Sequence, residues 1–284
     1  MLCKNYDLEA LFPSLPQAPA EQKPRLYSFL HEPNPNIGYG ERQTWPVMVV
    51  VPGGGYGGTS DREADPIAVQ YFAAGYHAFT LRYSCAPCRY PLSLLQLMAT
   101  ILYIRQNAAE LHADPERIFI VGFSAGGHLC ASAGTLWKEP VVAETLGVDP
   151  WLCRPTGMIL SYPVITGGPK AHRGSFINLL GEDASDEQIA AMSIENRVDA
   201  DTCPAFIWHT FNDAVVPIEN SLYMALALRE ADVPCEMHIY PDGPHGLALC
   251  NHHTWNEYEP ALKNPHAEGW FELSVKWLHT FDKE

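Results

Sequence analysis

A chain of 284 residues with 47% hydrophobic and only 18% charged residues can bury a substantial core and is typical of a globular protein. The formal net charge of −15 makes nucleic acid and acidic membranes poor partners and suits a neutral small-molecule substrate. Because no low-complexity tract or fixed-period repeat interrupts the sequence, we expect a single domain spanning residues 1–284.

The first 44 residues are rich in proline and polar groups and predict an edge hairpin that leads into the domain. A strand is expected at Arg25–Leu30 and a turn at residues 33–40. The N-terminal stretch has no continuous apolar region, and no run approaches the roughly 18 apolar residues that a bilayer requires. We therefore expect a cytoplasmic protein.

A dense β-branched run at Trp45–Val51 predicts a strand buried on both faces of a parallel sheet. A helix is expected at residues 65–74, a strand at 76–81, and a long amphipathic helix at 92–107. The apolar residues of that last helix are Leu94, Leu95, Met98, Ile101, Leu102 and Ile104.

The next unit is a strand at residues 118–121, a tight turn GFSAG around Ser124, and a helix with apolar residues at helical spacing. A serine at such a turn has its hydroxyl exposed above the strand, and the flanking glycines let strand and helix approach closely. The pattern therefore predicts Ser124 as a nucleophile, with an incidental surface serine as the alternative.

Further strands are predicted at residues 158–161, 205–209 and 236–240, and helices at 218–229 and 269–281. This alternation of strands and helices indicates the α/β class, with a mostly parallel central sheet covered by helices on both faces. Residues 167–202 interrupt the alternation with mixed helix and loop. They are expected to form either a small cap over the site or an ordinary long connection.

A nucleophilic serine needs a histidine base and a carboxylate to orient it, and in elbow-type hydrolases the acid precedes the histidine. Asp213 follows the strand at 205–209, and His245 follows the strand at 236–240, so both fit that order. Other acids are Asp183, Asp199, Asp201 and Asp242, for which helix caps or turns are the simpler interpretation. Other histidines are His128, His209, His252 and His253, for which structural or solvated positions are expected.

The glycine run after Val51, PGGGYGG, predicts an oxyanion hole in which backbone N–H groups meet a developing negative charge. The candidate donors are Gly54 and Gly55, together with Ala125 after the nucleophile. A phosphate-binding loop is the alternative, but the run has neither GxxxxGK[ST] nor GxGxxG spacing followed by a ribose-binding acid.

Two further features have a simple structural alternative. Cys85 and Cys88 form a CxxC pair, but without a second pair or a nearby histidine the eight cysteines are expected to be reduced thiols. Tyr56, Trp255 and Tyr258 offer rings on which a sugar could stack, although aromatic residues are more often simply packed.

The GFSAGGH elbow, the PGGGY loop, the HTFNDAVVP acid loop and the GPHG histidine loop together resemble the α/β-hydrolase superfamily. The resemblance covers residues 45–281 and is strongest to the acetyl xylan esterase-like carbohydrate esterases, which are related to the hormone-sensitive-lipase type. It implies a triad of Ser124, Asp213 and His245, an oxyanion hole at Gly54, Gly55 and Ala125, and hydrolysis of short acyl esters on sugars. It implies neither a metal nor another cofactor. Pro52 replaces the histidine of the HGGG loop found in many relatives, which weakens any transfer of lipase-type substrate range.

The leading hypothesis is a serine esterase that acts on a small-molecule ester, expected to be an acetylated oligosaccharide. An amide hydrolase of the same fold, formamidase-like or peptidase-like, is the second hypothesis, and a non-enzymatic binding protein is the third. The sequence leaves open which sugar carries the ester, the regioselectivity and the oligomeric state.

Overall fold

The computed structural model describes residues 1–37 and 43–282 of the protein. Within these residues, one eight-stranded sheet forms the centre of the fold. The strands are β1 (Leu2–Tyr6), β2 (Arg25–Leu30), β3 (Trp45–Val51), β4 (His77–Arg82), β5 (Ala113–Phe123), β6 (Gly157–Ser161), β7 (Ala205–Thr210) and β8 (Cys235–Tyr240). Their order across the sheet is β1-β2-β4-β3-β5-β6-β7-β8. β2 is antiparallel to both of its neighbours, β1 and β4, whereas β3 to β8 are mutually parallel. The predicted α/β class with a mostly parallel sheet is confirmed.

Ten helices cover the sheet within the described part of the chain. They are α1 (Leu8–Leu11), α2 (Asp65–Ala73), α3 (Leu92–Gln106), α4 (Ala108–Leu111), α5 (Ala125–Leu136), α6 (Pro140–Leu146), α7 (Arg173–Leu180), α8 (Asp186–Ala191), α9 (Glu219–Glu230) and α10 (Trp270–Leu278). Among these helices, none has both the length and the apolar character required to cross a bilayer.

The alternation of side chains along β3 divides the core into two layers. Val47, Val49 and Val51 pack in the layer that contains α3 and α5, whereas Met48 and Val50 pack in the layer that contains α2 and α10. All five are fully buried. Successive side chains of a strand point to opposite faces, so a run of five apolar residues is required where both faces are covered. The predicted double burial of this strand is confirmed.

The predicted amphipathic character of α3 is wrong. Twelve of its fifteen residues are buried, including Ser93, Gln96 and Thr100. The helix packs on β5, α5, α6 and residues 150–153, so nearly all of its surface is covered. Its polar residues are paired internally, since Gln96 bonds both the Ser84 backbone N–H and the Ser84 hydroxyl.

The N-terminal residues form the outer edge of the sheet. The predicted strand at Arg25–Leu30 is confirmed, and it pairs antiparallel with β1 on one side and with β4 on the other. The sequence of β1, LCKNY, has no apolar pattern, and the segment is recognised as a strand only by its pairing with β2. The predicted turn at residues 33–40 begins with a bond from the Ile37 N–H to the Asn34 carbonyl, and its last residues lie outside the described part.

The junction of β5 and α5 depends on two glycines. A Cβ atom on Gly126 would lie 2.2 Å from the Val51 carbonyl oxygen, and one on Gly122 would lie 2.2 Å from the Gly126 carbonyl oxygen. Both clashes are with backbone, which cannot move aside as a side chain can. The junction therefore brings β3, β5 and α5 closer together than any residue with a side chain would allow.

We expect Gly126→Ala to destabilise the protein by at least about 3 kcal/mol, because the added methyl group meets backbone atoms of β3. Gly269→Ala is the matched control, since no atom lies within 4 Å of the Cβ position there, and it should change stability by less than about 0.5 kcal/mol. Urea denaturation followed by circular dichroism measures both. Equal stability of the two variants would contradict the packing account.

Candidate active site

Ser124 occupies the turn between β5 and α5 in a backbone conformation that serine rarely adopts. Its φ is 53° and its ψ is −116°. The surrounding hydrogen bonds hold it there: its N–H donates to the Ser161 carbonyl at 3.0 Å, and its carbonyl accepts from the Val164 N–H at 3.0 Å. Strain of this kind persists only where the surrounding structure enforces it, and it occurs typically at functional sites.

The structure brings Ser124, His245 and Asp213 into one chain of hydrogen bonds. Nε2 of His245 lies 2.8 Å from the Ser124 hydroxyl oxygen, and Nδ1 lies 2.7 Å from Oδ2 of Asp213. Because a carboxylate only accepts, Nδ1 carries the proton and Nε2 is free to accept from the serine hydroxyl. This tautomer can take the proton of a nucleophilic serine.

Asp213 is held from several sides by donors. Oδ1 accepts from the backbone N–H groups of Val215 and Val216 at 2.9 Å each, and Oδ2 lies 3.3 Å from Nε2 of His209. Burial alone would raise the pKa of Asp213, but the hydrogen bonds from His209 and His245 outweigh it and hold that pKa far below its usual value. The carboxyl group is therefore ionised at neutral pH and can orient the imidazole of His245.

The glycine loop after β3 offers unpaired backbone donors beside Ser124. Gly54 and Gly55 have positive φ values of 130° and 63°. Within residues 1–37 and 43–282, the N–H groups of Gly54, Gly55 and Ala125 donate to no other protein group. A Cβ atom on Gly53 would lie 3.0 Å from Cβ of Ser124, so the loop lies directly against the serine.

A buried carboxyl group, Glu63, braces this loop. Its Oε2 accepts from the Gly53 N–H at 3.0 Å, and its Oε1 accepts from the Tyr162 hydroxyl at 2.8 Å. Tyr83 adds a third bond by donating to the Pro52 carbonyl at 3.0 Å. These contacts order the glycine loop.

Tyr162 extends the brace to the histidine loop. Its hydroxyl oxygen accepts from the Ala248 N–H at 2.8 Å, and its ring packs edge-on against His245 with centroids 5.0 Å apart. Burial, followed by the charge of Glu63, holds the pKa of Tyr162 well above its usual value, so the hydroxyl keeps its proton and donates. Next to Glu63, Arg62 donates to the Gly246 carbonyl at 2.9 Å. The loops after β3, β6 and β8 are therefore linked.

Sequence reasoning did not identify Glu63 and Tyr162. The available signal was position, because Tyr162 follows β6 directly and Glu63 lies in the connection after β3. Both connections leave the carboxyl ends of parallel strands, at the edge of the sheet where Ser124 lies.

The structure does not support sugar stacking on Tyr56. Its ring is only 3% exposed, and its hydroxyl lies 2.8 Å from Nδ1 of His128. His128 Nε2 lies 2.8 Å from the Met192 carbonyl, which only accepts, so Nε2 carries the proton and Nδ1 accepts from Tyr56. His128 thus has the structural role that the sequence suggested, and it joins the glycine loop, α5 and residues 167–202.

The other two aromatic candidates lie in the loop after the histidine loop. One face of the Trp255 ring is covered by Lys263, whose Nζ lies 3.8 Å from the ring centroid, while Tyr258 is 90% exposed. A groove of about 440 Å³ beside His245 is lined by neighbouring residues and by neither ring; the lining residues are Asn212, Ala214, Val215, Asp242, Gly243, Pro244, His245, Glu259, Ala261 and Asn264. A stacking role for Trp255 and Tyr258 stays a prediction.

The other candidate acids and histidines from the sequence are either exposed or bonded to groups outside the triad. Asp199 and Asp201 both pair with Lys138, and Asp242 accepts from Asn212. Asp183 is exposed, as are His252 and His253. His209 is fully buried and bonds the Ser221 hydroxyl at 2.7 Å, which leaves it supporting Asp213 rather than facing Ser124.

The cysteines form no disulfide, since all eight are free thiols. Burial raises the pKa of Cys85 to about 12, so this thiol of the CxxC pair is a weak nucleophile. In the described ranges, no three histidine, cysteine or acidic side chains gather into a group that could hold a metal ion.

Comparison with known proteins gives the following matches. The BD-FAE family model matches residues 37–147, and the prolyl oligopeptidase family model matches residues 175–263. The endo-1,4-beta-xylanase B of Butyrivibrio fibrisolvens is 37% identical over 80% of this chain and 35% of its own length. The acetylxylan esterase of Xylanibacter ruminicola is 30% identical over 76% of this chain and 43% of its own length. The chain thus spans less than half the length of these curated relatives.

A solved structure is similar over most of both chains. The acetyl ester-xyloside bifunctional hydrolase from Caldicellulosiruptor lactoaceticus is 35% identical, with a TM-score of 0.77. The match covers 91% of this chain and 88% of the other.

His128 predicts a pH dependence of stability. Burial lowers its pKa to about 4, whereas an unfolded chain binds the proton near pH 6.5. The stabilisation is therefore complete above about pH 6.5 and is lost as the pH falls towards 4, by about 2 kcal/mol between pH 7.5 and 5. Burial lowers the pKa of His77 to about 4 as well, so urea denaturation at the two pH values isolates the His128 contribution only by comparison with a His128 variant.

The control for this experiment is a pair of variants. His128→Gln should remove about 2 kcal/mol from the pH-dependent change in unfolding free energy. His253→Gln, at an exposed histidine, should leave that change as it is in the original chain. Identical pH dependence in all three proteins would contradict the assignment of His128 as a buried neutral imidazole.

Proposed function

The chain belongs to the α/β-hydrolase superfamily, among the carboxylic ester hydrolases similar to acetyl xylan esterases, and on that premise we propose that it is a serine carboxylesterase. Its proposed reaction is the removal of short acyl groups, acetyl above all, from carbohydrates such as xylo-oligosaccharides. The observation that carries the proposal is the continuous hydrogen-bond chain from Ser124 through His245 to Asp213.

The proposed reaction begins with attack of the Ser124 oxygen on the ester carbonyl, while Nε2 of His245 takes the hydroxyl proton. Asp213 stays ionised and stabilises the imidazolium that forms. Collapse of the tetrahedral intermediate breaks the bond to the sugar oxygen, which receives the proton from His245. Water, activated by the same imidazole, then attacks the acyl-enzyme and releases the carboxylic acid and the free serine.

The proposed oxyanion hole consists of the N–H groups of Gly54, Gly55 and Ala125. Their lack of other acceptors in the described residues supports this role, because each could bond a negative oxygen without giving up an existing hydrogen bond. Loss of one such donor typically costs about 3 kcal/mol of transition-state stabilisation. The Glu63 brace holds this loop in place before substrate binds, so little reorganisation is needed at the transition state.

The carbohydrate part of the proposal is supported by the names of the relatives and by charge. The two similar proteins named for acetyl ester hydrolysis are an acetylxylan esterase and an acetyl ester-xyloside hydrolase. A formal net charge of −15 favours a neutral sugar over an acidic substrate.

We also propose that residues 167–202 act as a small cap, because the Asn178 side chain donates to the Gly55 carbonyl at 2.9 Å. The cytoplasmic location stays a prediction.

Substitution of the triad tests the mechanism. We expect Ser124→Ala and His245→Ala each to lower kcat for 4-nitrophenyl acetate by at least about 10⁴-fold, because the nucleophile or its base is lost. Ser14→Ala, at an exposed serine, is the control and should retain full activity. An organophosphonate probe should label the original chain at one equivalent and Ser124→Ala not at all. Turnover by either triad variant at the original rate would refute the proposal.

A substrate panel tests the acyl and alcohol parts. Released acetate is measured across acetylated xylo-, manno- and gluco-oligosaccharides, and 4-nitrophenyl esters of increasing acyl length are compared. We expect acetate to be preferred to longer chains, with at least one sugar series hydrolysed. N-formylkynurenine and a proline-containing peptide complete the panel, because the match to the prolyl oligopeptidase model favours amide hydrolysis as the second candidate. A higher kcat/KM on either amide than on every ester would establish that alternative.

A further inference from the structure

A histidine outside the triad stands over the glycine loop. His172 immediately precedes α7 and is partly exposed. A Cβ atom on Gly55 would lie 3.9 Å from Cε1 of His172 and 3.8 Å from the hydroxyl oxygen of Ser175. The imidazole therefore lies against the loop proposed to bind the oxyanion, next to the Ser175 hydroxyl.

One ring nitrogen of His172 fixes the orientation of the ring. Nδ1 lies 2.9 Å from the Ser175 hydroxyl oxygen, and Ser175 is only 1% exposed. The Ser175 N–H also donates to the His172 carbonyl at 3.0 Å. In the part of the chain that the structure describes, Nε2 of His172 makes no hydrogen bond, so the second nitrogen is available to a ligand.

The segment that carries His172 is tied to the glycine loop. Asn178 donates to the Gly55 carbonyl at 2.9 Å, and its own carbonyl accepts from Arg89 at 2.6 Å. The Tyr90 N–H donates to the Leu179 carbonyl at 2.9 Å. These bonds within the protein hold α7 against the loop, so the ring of His172 is positioned in advance of binding.

His172 also lies within electrostatic range of the triad. Its pKa is lowered mainly by burial and further by the charge that His245 carries when protonated. The imidazole is therefore neutral at pH 7, with a proton on one nitrogen only. A sugar hydroxyl both donates and accepts, so it can pair with Nε2 in either tautomer, whereas a simple aryl leaving group offers no such partner.

We propose that His172 is a specificity-determining residue whose Nε2 hydrogen-bonds a hydroxyl group of the carbohydrate that carries the scissile ester. This inference rests on the proposed esterase function and assigns its alcohol recognition to the 167–202 segment. His172 takes no part in proton transfer, because the Ser124 hydroxyl is already paired with His245 at 2.8 Å.

The test compares two acetyl esters, an acetylated xylo-oligosaccharide and 4-nitrophenyl acetate. For His172→Ala we expect the ratio of kcat/KM for the sugar to kcat/KM for the aryl ester to fall at least about tenfold, chiefly through a higher KM for the sugar. His172→Gln places an amide near the Nε2 position and should recover part of that ratio. Ser175→Ala frees the ring and should give a smaller fall.

Controls separate this inference from simpler effects. Arg173→Ala, at the exposed neighbouring residue, should keep the original ratio. Thermal unfolding by circular dichroism shows whether each variant is folded, and if His172→Ala is not, His172→Gln with its partial fall in the ratio carries the test. An unchanged ratio in the folded His172 variants would overturn the inference while leaving the esterase proposal intact.

Two other results would also be decisive. If His172→Ala instead raises activity on 4-nitrophenyl butyrate relative to acetate, the residue borders the acyl pocket and the inference is wrong. If the original chain hydrolyses neither acetyl ester, the esterase proposal is wrong, and this inference, which rests on it, is wrong as well.

Discussion

The left-handed backbone of Ser124 is the constraint on which the site depends. With φ at 53°, the residue turns the chain from β5 into α5 so abruptly that its hydroxyl stands clear of both elements. That geometry is possible because Gly122 and Gly126 let strand, helix and the neighbouring β3 approach to distances at which a methyl group would clash. The packing of the two core layers therefore stabilises a backbone conformation of Ser124 that would be unfavourable in an isolated chain.

Hydrogen bonds at the carboxyl edge of the sheet then bring separate loops to that serine. The two oxygens of Glu63 join the glycine loop to Tyr162, and Tyr162 in turn joins the histidine loop. Asp213 accepts hydrogen bonds from two backbone N–H groups of its own loop in addition to the bond with His245. Each loop also has contacts of its own. A substitution in one loop should therefore affect the position of the others only through the hydrogen bonds that link them.

Burial assigns a protonation state to the groups around the site. Desolvation keeps His128 neutral, so it can accept from Tyr56 and donate to the Met192 carbonyl. Donors overcome desolvation at Asp213 and keep it charged. The same argument applies to His172, where a neutral ring over Gly55 is suited to an uncharged hydroxyl. A net charge of −15 on the chain fits the same preference for neutral substrates.

The sequence alone determined the α/β class, the bounds of β3 and the candidates Ser124, Asp213 and His245, because periodicity and chain order are local or one-dimensional properties. It did not reveal β1, whose residues have no apolar pattern, or the burial of α3, which depends on the packing of β5, α5, α6 and residues 150–153 around it. Nor could it show that Tyr56 is buried, that Glu63 links two loops, or that His172 stands over Gly55. These facts required the tertiary structure, since each depends on contacts between residues that only the folded sheet brings to one edge.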